Sequence, residues 1–343
     1  MLIATGARAK VPRAYSAAVN NLKGVGTIRN AQDHTAFRGV LEKANNVVII
    51  GAGFLGLETA TSIRRAYPTK TITVVDLEEK PLESVLGAPI ARQLMDLQQK
   101  NGVKVITGQL VTAINEHEGH VKSVTINFKS EFKAVRQEEI PAELVLVATG
   151  AAVNTDFVPY QLLNQDKSVR TDAFLQTDDP HIYAAGDIAS FHSYLSQGPQ
   201  RLEHWAAAQD QGRVAAENML GLGQVFGVVP FFWTNQFGNA QFAGYSAGAD
   251  WTHTETDSED EVAKTARITY FYKGQKCIGV AVVNKPGAVL KLRLALLRGL
   301  MPSKEELANG RVKFQQIAAS VEASHGGKWG PGRRRGGCCG GKK

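Results

Sequence analysis

Six consecutive residues, Gly51-Ala52-Gly53-Phe54-Leu55-Gly56, carry the clearest chemistry in this sequence. They follow an apolar run, Val47-Val48-Ile49-Ile50, suited to a strand buried on both faces, and they open a helical pattern from Phe54 to Tyr67 with Pro68 just beyond it. Each glycine has a physical reason. Gly51 permits a tight turn, Gly53 lets the backbone approach a diphosphate, and Gly56 lets the helix pack close to the strand. A diphosphate seated there meets free N–H groups and the positive end of the helix dipole. Asp76 closes the next strand, Thr71-Ile72-Thr73-Val74-Val75, 25 residues after Gly51. A carboxylate at that point can accept hydrogen bonds from a ribose 2′-hydroxyl and repels a 2′-phosphate. Glu78 and Glu79 add negative charge, and Lys80 is the one cation nearby in sequence, so the pattern predicts NAD(H) rather than NADP(H).

A second signal is Ala185-Gly186-Asp187-Ile188-Ala189 behind the apolar strand Ile182–Ala185. Glycine allows close approach and an Asp at a strand end can bind a sugar or ribitol hydroxyl, although Gly-Asp is also an ordinary turn.

The elements that must position these residues are readable in outline. Residues 1–43 read as a strand end, a loop and a helical stretch from Asp33 to Lys43. The βαβ unit continues with a helix from about Ile90 to Lys100, stopped by Asn101-Gly102, then strands at Val103–Thr107, Leu110–Glu116, Val121–Phe128 and Glu143–Ala148. A helix follows from about Trp205 to Leu220. Gln241–Tyr245, Ala266–Tyr272 and Ile278–Val283 are strand candidates, Asp250–Glu261 reads as an acidic exposed loop, and Ala288–Met301 as a packed helix.

Composition limits the alternatives. The chain has 343 residues, 43% of them hydrophobic, enough for two or three domains with real cores. Its net charge is +7, but six uncompensated basic residues lie between Lys328 and Lys343, leaving about +1 elsewhere. No cationic field suited to nucleic acid is therefore expected on the folded part. There is no run long and apolar enough for a transmembrane segment and no targeting signal, which leaves a cytoplasmic or mitochondrial location as the expectation. The three cysteines, Cys277, Cys338 and Cys339, make neither a disulfide framework nor a zinc site, so no metal is expected.

The motifs GAGFLGLE (51–58), VLVATGAAVNTDF (145–157), AAGDIA (184–189), EHWAAAQDQGRVAAENMLG (203–221) and FFWTNQFG (231–238) occur in an order that resembles the apoptosis-inducing-factor-like FAD/NAD-dependent oxidoreductases and their ferredoxin reductase relatives. The resemblance covers about residues 1–310. It implies an α/β fold in which a Rossmann-like NAD domain is inserted in a truncated FAD domain and followed by a C-terminal α/β domain. In those terms residues 1–43 are a remnant of the FAD-binding domain, 44–150 the NAD(H)-binding domain, 151–222 the second part of the FAD-binding domain and 223–321 the C-terminal reductase domain. Residues 322–343 form a basic tail whose composition predicts disorder.

By the same resemblance the cofactors are FAD and NAD(H). Gly186 and Asp187 hold the flavin on its ribitol and diphosphate side, Glu203 and His204 lie near the isoalloxazine, and Phe54 and Glu58 flank the nicotinamide. Trp233 closes over the reaction site. Thr5-Gly6 and Thr149-Gly150 belong to the cofactor-binding set. Each catalytic candidate also has a plainer reading from its residue type: Phe54 as helix core, Glu58 as a charge complementing the helix dipole, His204 as a satisfied core histidine, Trp233 as domain core. The implied activity is hydride transfer from NADH to FAD, with electrons passed to an acceptor protein or a quinone. The rival reading is a non-catalytic NAD(H)-binding sensor or a truncated product. Full members begin with their own strand-GxGxxG-helix for the FAD diphosphate, and this sequence has a single GxGxxG, so the expectation is NAD(H) binding with poor retention of FAD. The Gly337-Cys338-Cys339-Gly340 stretch resembles the mobile redox tail of large thioredoxin reductases, without their His-Pro-Thr segment.

Overall fold

The computed structural model describes residues 1–129, 135–257 and 265–324. Two short strands, β1 (Leu2–Ile3) and β2 (Ala7–Ala9), lead to α1 (Arg13–Asn21), β3 (Val25–Gly26) and α2 (Ala31–Leu41). The expected βαβ unit follows as β4 (Asn46–Ile50), α3 (Phe54–Ala66) and β5 (Thr71–Val75), then α4 (Glu83–Leu86), α5 (Ala88–Lys100) and β6 (Val103–Ile106). An antiparallel meander of β7 (Leu110–His117), β8 (His120–Lys129) and β9 (Val135–Pro141) precedes β10 (Leu144–Val147). The parallel sheet runs in the order β3-β10-β4-β5-β6. Both of its faces are covered, which is why its strands are continuous apolar runs. Val47, Ile49, Val74 and Leu146 pack under α3 with Leu57 and Ile63. Val48, Ile50, Val75 and Val145 pack under the meander with Val124 and Ile126.

The boundary expected at residue 44 falls inside this unit. β3 is an edge strand of the parallel sheet, Phe37 and Leu41 of α2 share the core with Ile49, and the buried Tyr15 of α1 donates its hydroxyl to the Val111 carbonyl at 2.6 Å. α1 starts after Pro12 with a single buried residue, and β3 is two residues long, too little periodicity to read in advance.

β11 (Ala151–Val153) returns beside β2 as an antiparallel ribbon, Ala151 opposite Ala9 and Val153 opposite Ala7. A smaller unit contains β12 (Val169–Arg170), β13 (Tyr183–Ala184), β14 (Ala189–Ser193), β15 (Gly198–Arg201) and α6 (Trp205–Met219). The strand expected at Ile182–Ala185 shrinks to β13. It pairs in parallel with β1, Leu2 opposite Tyr183, and Gln176 bridges it on the other side.

The last unit is an antiparallel sheet of β16 (Phe231–Asn235), β17 (Asn239–Gly244), β18 (Trp251–Thr256), β19 (Arg267–Lys273) and β20 (Lys276–Val283), ordered β16-β17-β20-β19-β18. It is covered by α7 (Ala288–Arg298) and α9 (Phe314–Ala323), with α8 (Lys304–Ala308) between them. The stretch expected to be an acidic loop from Asp250 is instead the edge strand β18 as far as Thr256. Its Thr residues favour extended backbone, and Glu255 accepts a hydrogen bond from the Tyr270 hydroxyl at 3.1 Å. The remainder of that stretch, Ser258–Glu261, lies outside the described residues. α9 runs to Ala323, past the expected start of the tail at 322, and Cys338 and Cys339 lie outside the described residues. No helix among the described residues is long and apolar enough to cross a membrane.

Candidate functional site

The turn between β4 and α3 is built by its glycines. Gly51 has φ +114°, and a Cβ there would sit 2.3 Å from the carbonyl oxygen of Ala148, the residue that follows β10. A Cβ on Gly56 would lie 2.0 Å from the Gly51 carbonyl oxygen, so only glycine lets α3 come this close to the turn. At Gly53 a Cβ would meet nothing within 4 Å. Gly53 is the N-cap of α3 and no side chain caps the helix, so the first-turn N–H groups have no side-chain acceptor. An open, donor-lined helix start is what a dinucleotide diphosphate requires, and the residues present fit that group.

Asp76 lies beside this turn. Its carboxylate accepts from the Ala52 N–H and, at 2.7 Å, from the Glu78 N–H. Two backbone donors fix its orientation and leave lone pairs for ribose hydroxyls. Next to it, a depression of about 350 Å³ is lined by Lys80 and Arg92 among others. Lys80 is therefore not the sole cation on this side: α5 brings Arg92 to the same wall.

A cleft of about 450 Å³ opens where α3, the start of α6 and the hairpin of β16 and β17 meet. Phe54, Glu58, Glu203, His204 and Trp233 all line it, so residues separated by 179 positions in sequence, Phe54 and Trp233, share one wall system. Phe54 stacks edge-on against Phe232 with ring centroids 5.2 Å apart, and Trp233 lies 6.3 Å from the His204 ring. Trp233 is 51% exposed at the mouth of the cleft, which excludes its reading as plain domain core. His204 is the N-cap of α6 with no capping bond from its side chain. Burial lowers its pKa, and the nearby Asp187 carboxylate offsets this only in part. Tyr245, 4% exposed, also lines the cleft. Burial pushes its phenol up to about 12, and its hydroxyl makes no hydrogen bond of good geometry although Ser193 is near.

Gly186 and Asp187 stand at the N-terminal side of α6. The Gly186 N–H donates to Gln211 Oε1 at 2.6 Å, while the amide nitrogen of that fully buried glutamine has no partner. The Asp187 carboxylate accepts from Arg29 at 2.8 Å, and Arg29 also donates to the Ala7 carbonyl at 2.8 Å. Arg201 joins this group to the cleft, donating to the Asp187 carbonyl at 3.1 Å and to Glu203 Oε1 at 2.6 Å. Thr5 and Gly6 are tied to Asn154, through its carbonyl and its N–H respectively. The Thr149 hydroxyl donates to the Lys10 carbonyl at 2.6 Å, and Lys10 donates to Gly150. These four residues bracket the β2–β11 ribbon and do not line the cleft. For a flavin, the aromatic cleft with the unpartnered Tyr245 hydroxyl and Gln211 amide suits the ring and ribitol side. A second glycine-rich helix start for its diphosphate does not occur in the sequence.

Sequence reasoning missed Arg29, Arg201, Gln211, Phe232 and Tyr245, along with Thr234 and Gln236 of the β16–β17 hairpin. Arg29 meets Asp187, and Thr234 meets Glu58, across elements far apart in the chain, and no local spacing marks either pair.

Residues 1–212 match the sequence profile of the family described as pyridine nucleotide-disulphide oxidoreductase. The chain belongs to this family. Residues 231–318 match the profile described as reductase C-terminal. The chain is 33% identical to apoptosis-inducing factor 3 of Homo sapiens over 90% of its own length and 48% of that protein, so it spans about half the length of this relative. It is 28% identical to the rhodocoxin reductase of Rhodococcus erythropolis, covering 93% of this chain and 76% of that one. Among solved structures, the covalent putidaredoxin reductase–putidaredoxin complex superposes with a TM-score of 0.81 at 26% identity, over 94% of this chain and 75% of that one. The ferredoxin reductase of the CYP199A2 system from Rhodopseudomonas palustris superposes at 0.78 and 26% identity, over 92% and 74%. These matches bear out the α/β reductase fold expected from the motif order. FAD and NAD(H) are the cofactors that go with this family.

Proposed function

We propose that the protein is an NADH-dependent flavin oxidoreductase that hands electrons to a small iron-sulfur carrier protein. The single observation that carries the reading is the cleft in which Phe54 and Glu58, from the helix that starts at the diphosphate turn, face His204 and Trp233 from two other units. A dinucleotide with its diphosphate on the N-terminus of α3 extends its nicotinamide along that helix into this cleft. When bound, NADH supplies a hydride and FAD accepts it and releases electrons onward.

The chain's own residues then bind and orient. Gly51, Gly53 and Gly56 shape the diphosphate seat, and Asp76 takes the adenosine ribose. Phe54, braced by Phe232, forms an apolar wall, and Glu58 supplies a polar edge beside it. His204, its pKa lowered by burial, stays uncharged at neutral pH and does not repel an oxidised nicotinamide cation. Trp233 shields the mouth from water. Gly186, Asp187 and Glu203 hold the flavin side, with Thr5, Gly6, Thr149 and Gly150 at its approaches.

The names of two relatives, rhodocoxin reductase and putidaredoxin reductase, and the solved complex of the latter with putidaredoxin support a protein acceptor over a quinone. The test is anaerobic addition of NADH to the protein saturated with FAD, followed by either a [2Fe–2S] ferredoxin or a soluble quinone. Bleaching of the flavin band and reduction of the ferredoxin are expected. No bleaching overturns the oxidoreductase reading, and reduction of the quinone alone overturns the choice of acceptor.

A further inference from the structure

We propose that Thr234, backed by Gln236, is the positioning residue for Glu58, so that the C-terminal domain sets the polar edge against which the nicotinamide end of the dinucleotide is held. This rests on the proposed seating of NAD(H), and it concerns two positions of the FFWTNQFG stretch to which the motif reading gives no role. The Thr234 hydroxyl donates to Glu58 Oε1 at 2.6 Å, and Gln236 Nε2 donates to the Thr234 oxygen at 2.9 Å. Thr234 is 1% exposed and Gln236 is fully buried, whereas the Glu58 carboxylate lies on the wall of the cleft. The three groups form a directed chain. The amide N–H donates a hydrogen bond to the hydroxyl oxygen, which directs the hydroxyl proton toward the carboxylate, and a hydrogen bond to a charged acceptor in low dielectric is the stronger kind.

The hairpin end that carries Gln236 is anchored independently. Gln236 N–H donates to the Gly238 carbonyl at 2.9 Å, closing the turn, and Phe237 is held at φ +59° with Arg65 of α3 over its ring at 5.4 Å. A non-glycine residue persists in that conformation only where its surroundings fix it. Gly238 lies against α5, where an added Cβ would come within 3.0 Å of Leu97. The hairpin is thus held against α3 and α5, and Thr234 is delivered to Glu58 from a rigid base. Of the two carboxylate oxygens Thr234 engages one, which leaves the other for a ligand amide at the cleft.

The experiment compares NAD+ with ADP-ribose, which shares the diphosphate and adenosine but has no nicotinamide. Affinities are measured by titration on the full chain for the unaltered protein, T234V, T234S, E58A and the T234V/E58A pair. T234V should weaken NAD+ by about tenfold to a hundredfold, the scale of one hydrogen bond to a charged group, and leave ADP-ribose within about twofold. T234S, which keeps the hydroxyl, should restore NAD+ binding. In the E58A background, T234V should have no further effect on the ratio of the two affinities. T234A removes the same hydroxyl and replaces T234V if the latter does not fold. An unchanged ratio in T234V or T234A, or additivity with E58A, overturns the proposal. Failure of the unaltered protein to bind ADP-ribose instead overturns the nucleotide reading on which it rests.

Discussion

Two glycines in one turn should respond in opposite ways to the same added methyl group. At Gly56 a Cβ would lie 2.0 Å from the Gly51 carbonyl oxygen and 3.1 Å from its carbon, both backbone atoms. Real Cβ contacts scarcely fall below 3.0 Å, so α3 must retreat by about 1 Å. The helix is packed against Ile49 and the rest of the core, and relief by rotamer change is not available. Overpacking of this kind costs about 3 kcal/mol, the upper end of its usual range, and a fall in melting temperature of about 4 °C is expected for G56A. At Gly53 a Cβ meets nothing within 4 Å and φ is −72°, ordinary for any residue. Alanine there loses a few tenths of a kcal/mol as an N-cap and recovers a similar amount by restricting the unfolded chain, so G53A should melt like the unaltered protein. Its methyl group, however, occupies the open space into which the first-turn N–H groups point. NADH affinity should drop about tenfold or more as the diphosphate is held away from those donors. Titration by quenching of tryptophan fluorescence and thermal melts on both variants make the comparison. Unchanged NADH affinity in G53A, or an unchanged melting temperature in G56A, refutes the reasoning.

Asp76→Ala should weaken NADH by about 1–3 kcal/mol and also free the Ala52 and Glu78 N–H groups; titration of the unaltered protein with NADPH giving equal affinity would show that Arg92 and Lys80 outweigh the carboxylate. His204 has its pKa lowered, first by burial and against the pull of Asp187. The folded state therefore binds its proton less readily than the unfolded chain, and stability contributed by the neutral ring falls as pH drops below about 6.5. H204Q should flatten that decline, and a pH-melting profile of H204Q that parallels the parent protein counts against the assignment. A polypeptide of these 343 residues produced alone should bind NADH and retain little FAD, because its sequence offers one glycine-rich helix start and its FAD side is held in two- and three-stranded sheets. A visible spectrum with near-stoichiometric flavin after desalting overturns that expectation.

The nucleotide turn was legible because every constraint on it is local: strand, three glycines, helix and closing acid lie within 31 residues, Asn46 to Asp76. The long strands β4, β5 and β20 announced themselves as buried runs, and α3 and α5 by their period and stops. What escaped were elements defined by partners. β18 looks polar because it is an edge strand with one solvated face, and its acidity comes from residues such as Glu255 that accept hydrogen bonds within the fold. β13 is two residues long and exists through pairing with β1, 181 positions earlier in the register. The ion pair of Arg29 with Asp187 and the bond of Thr234 to Glu58 join residues more than 150 positions apart, and no spacing rule links them. Motif order made up part of the deficit by naming Glu58, His204 and Trp233 before any contact between them was known.

The paired strands β2 and β11 have a consequence for the chain as a polymer. The nucleotide unit departs after Ala9 and returns at Ala151, and Lys10 and Gly150 are one backbone hydrogen bond, 2.9 Å, apart. Bringing together the ends of a flexible loop of about 140 residues costs on the order of 4 kcal/mol in entropy. Here the intervening residues fold on themselves with both ends already adjacent, so the flanking strands see a short bridge in place of a long loop. The surrounding unit can therefore keep its own pairing, β1 with β13, almost as if the 140 residues were a tight turn. A segment whose ends meet in this way can lengthen or shorten between them without pulling the surrounding strands apart.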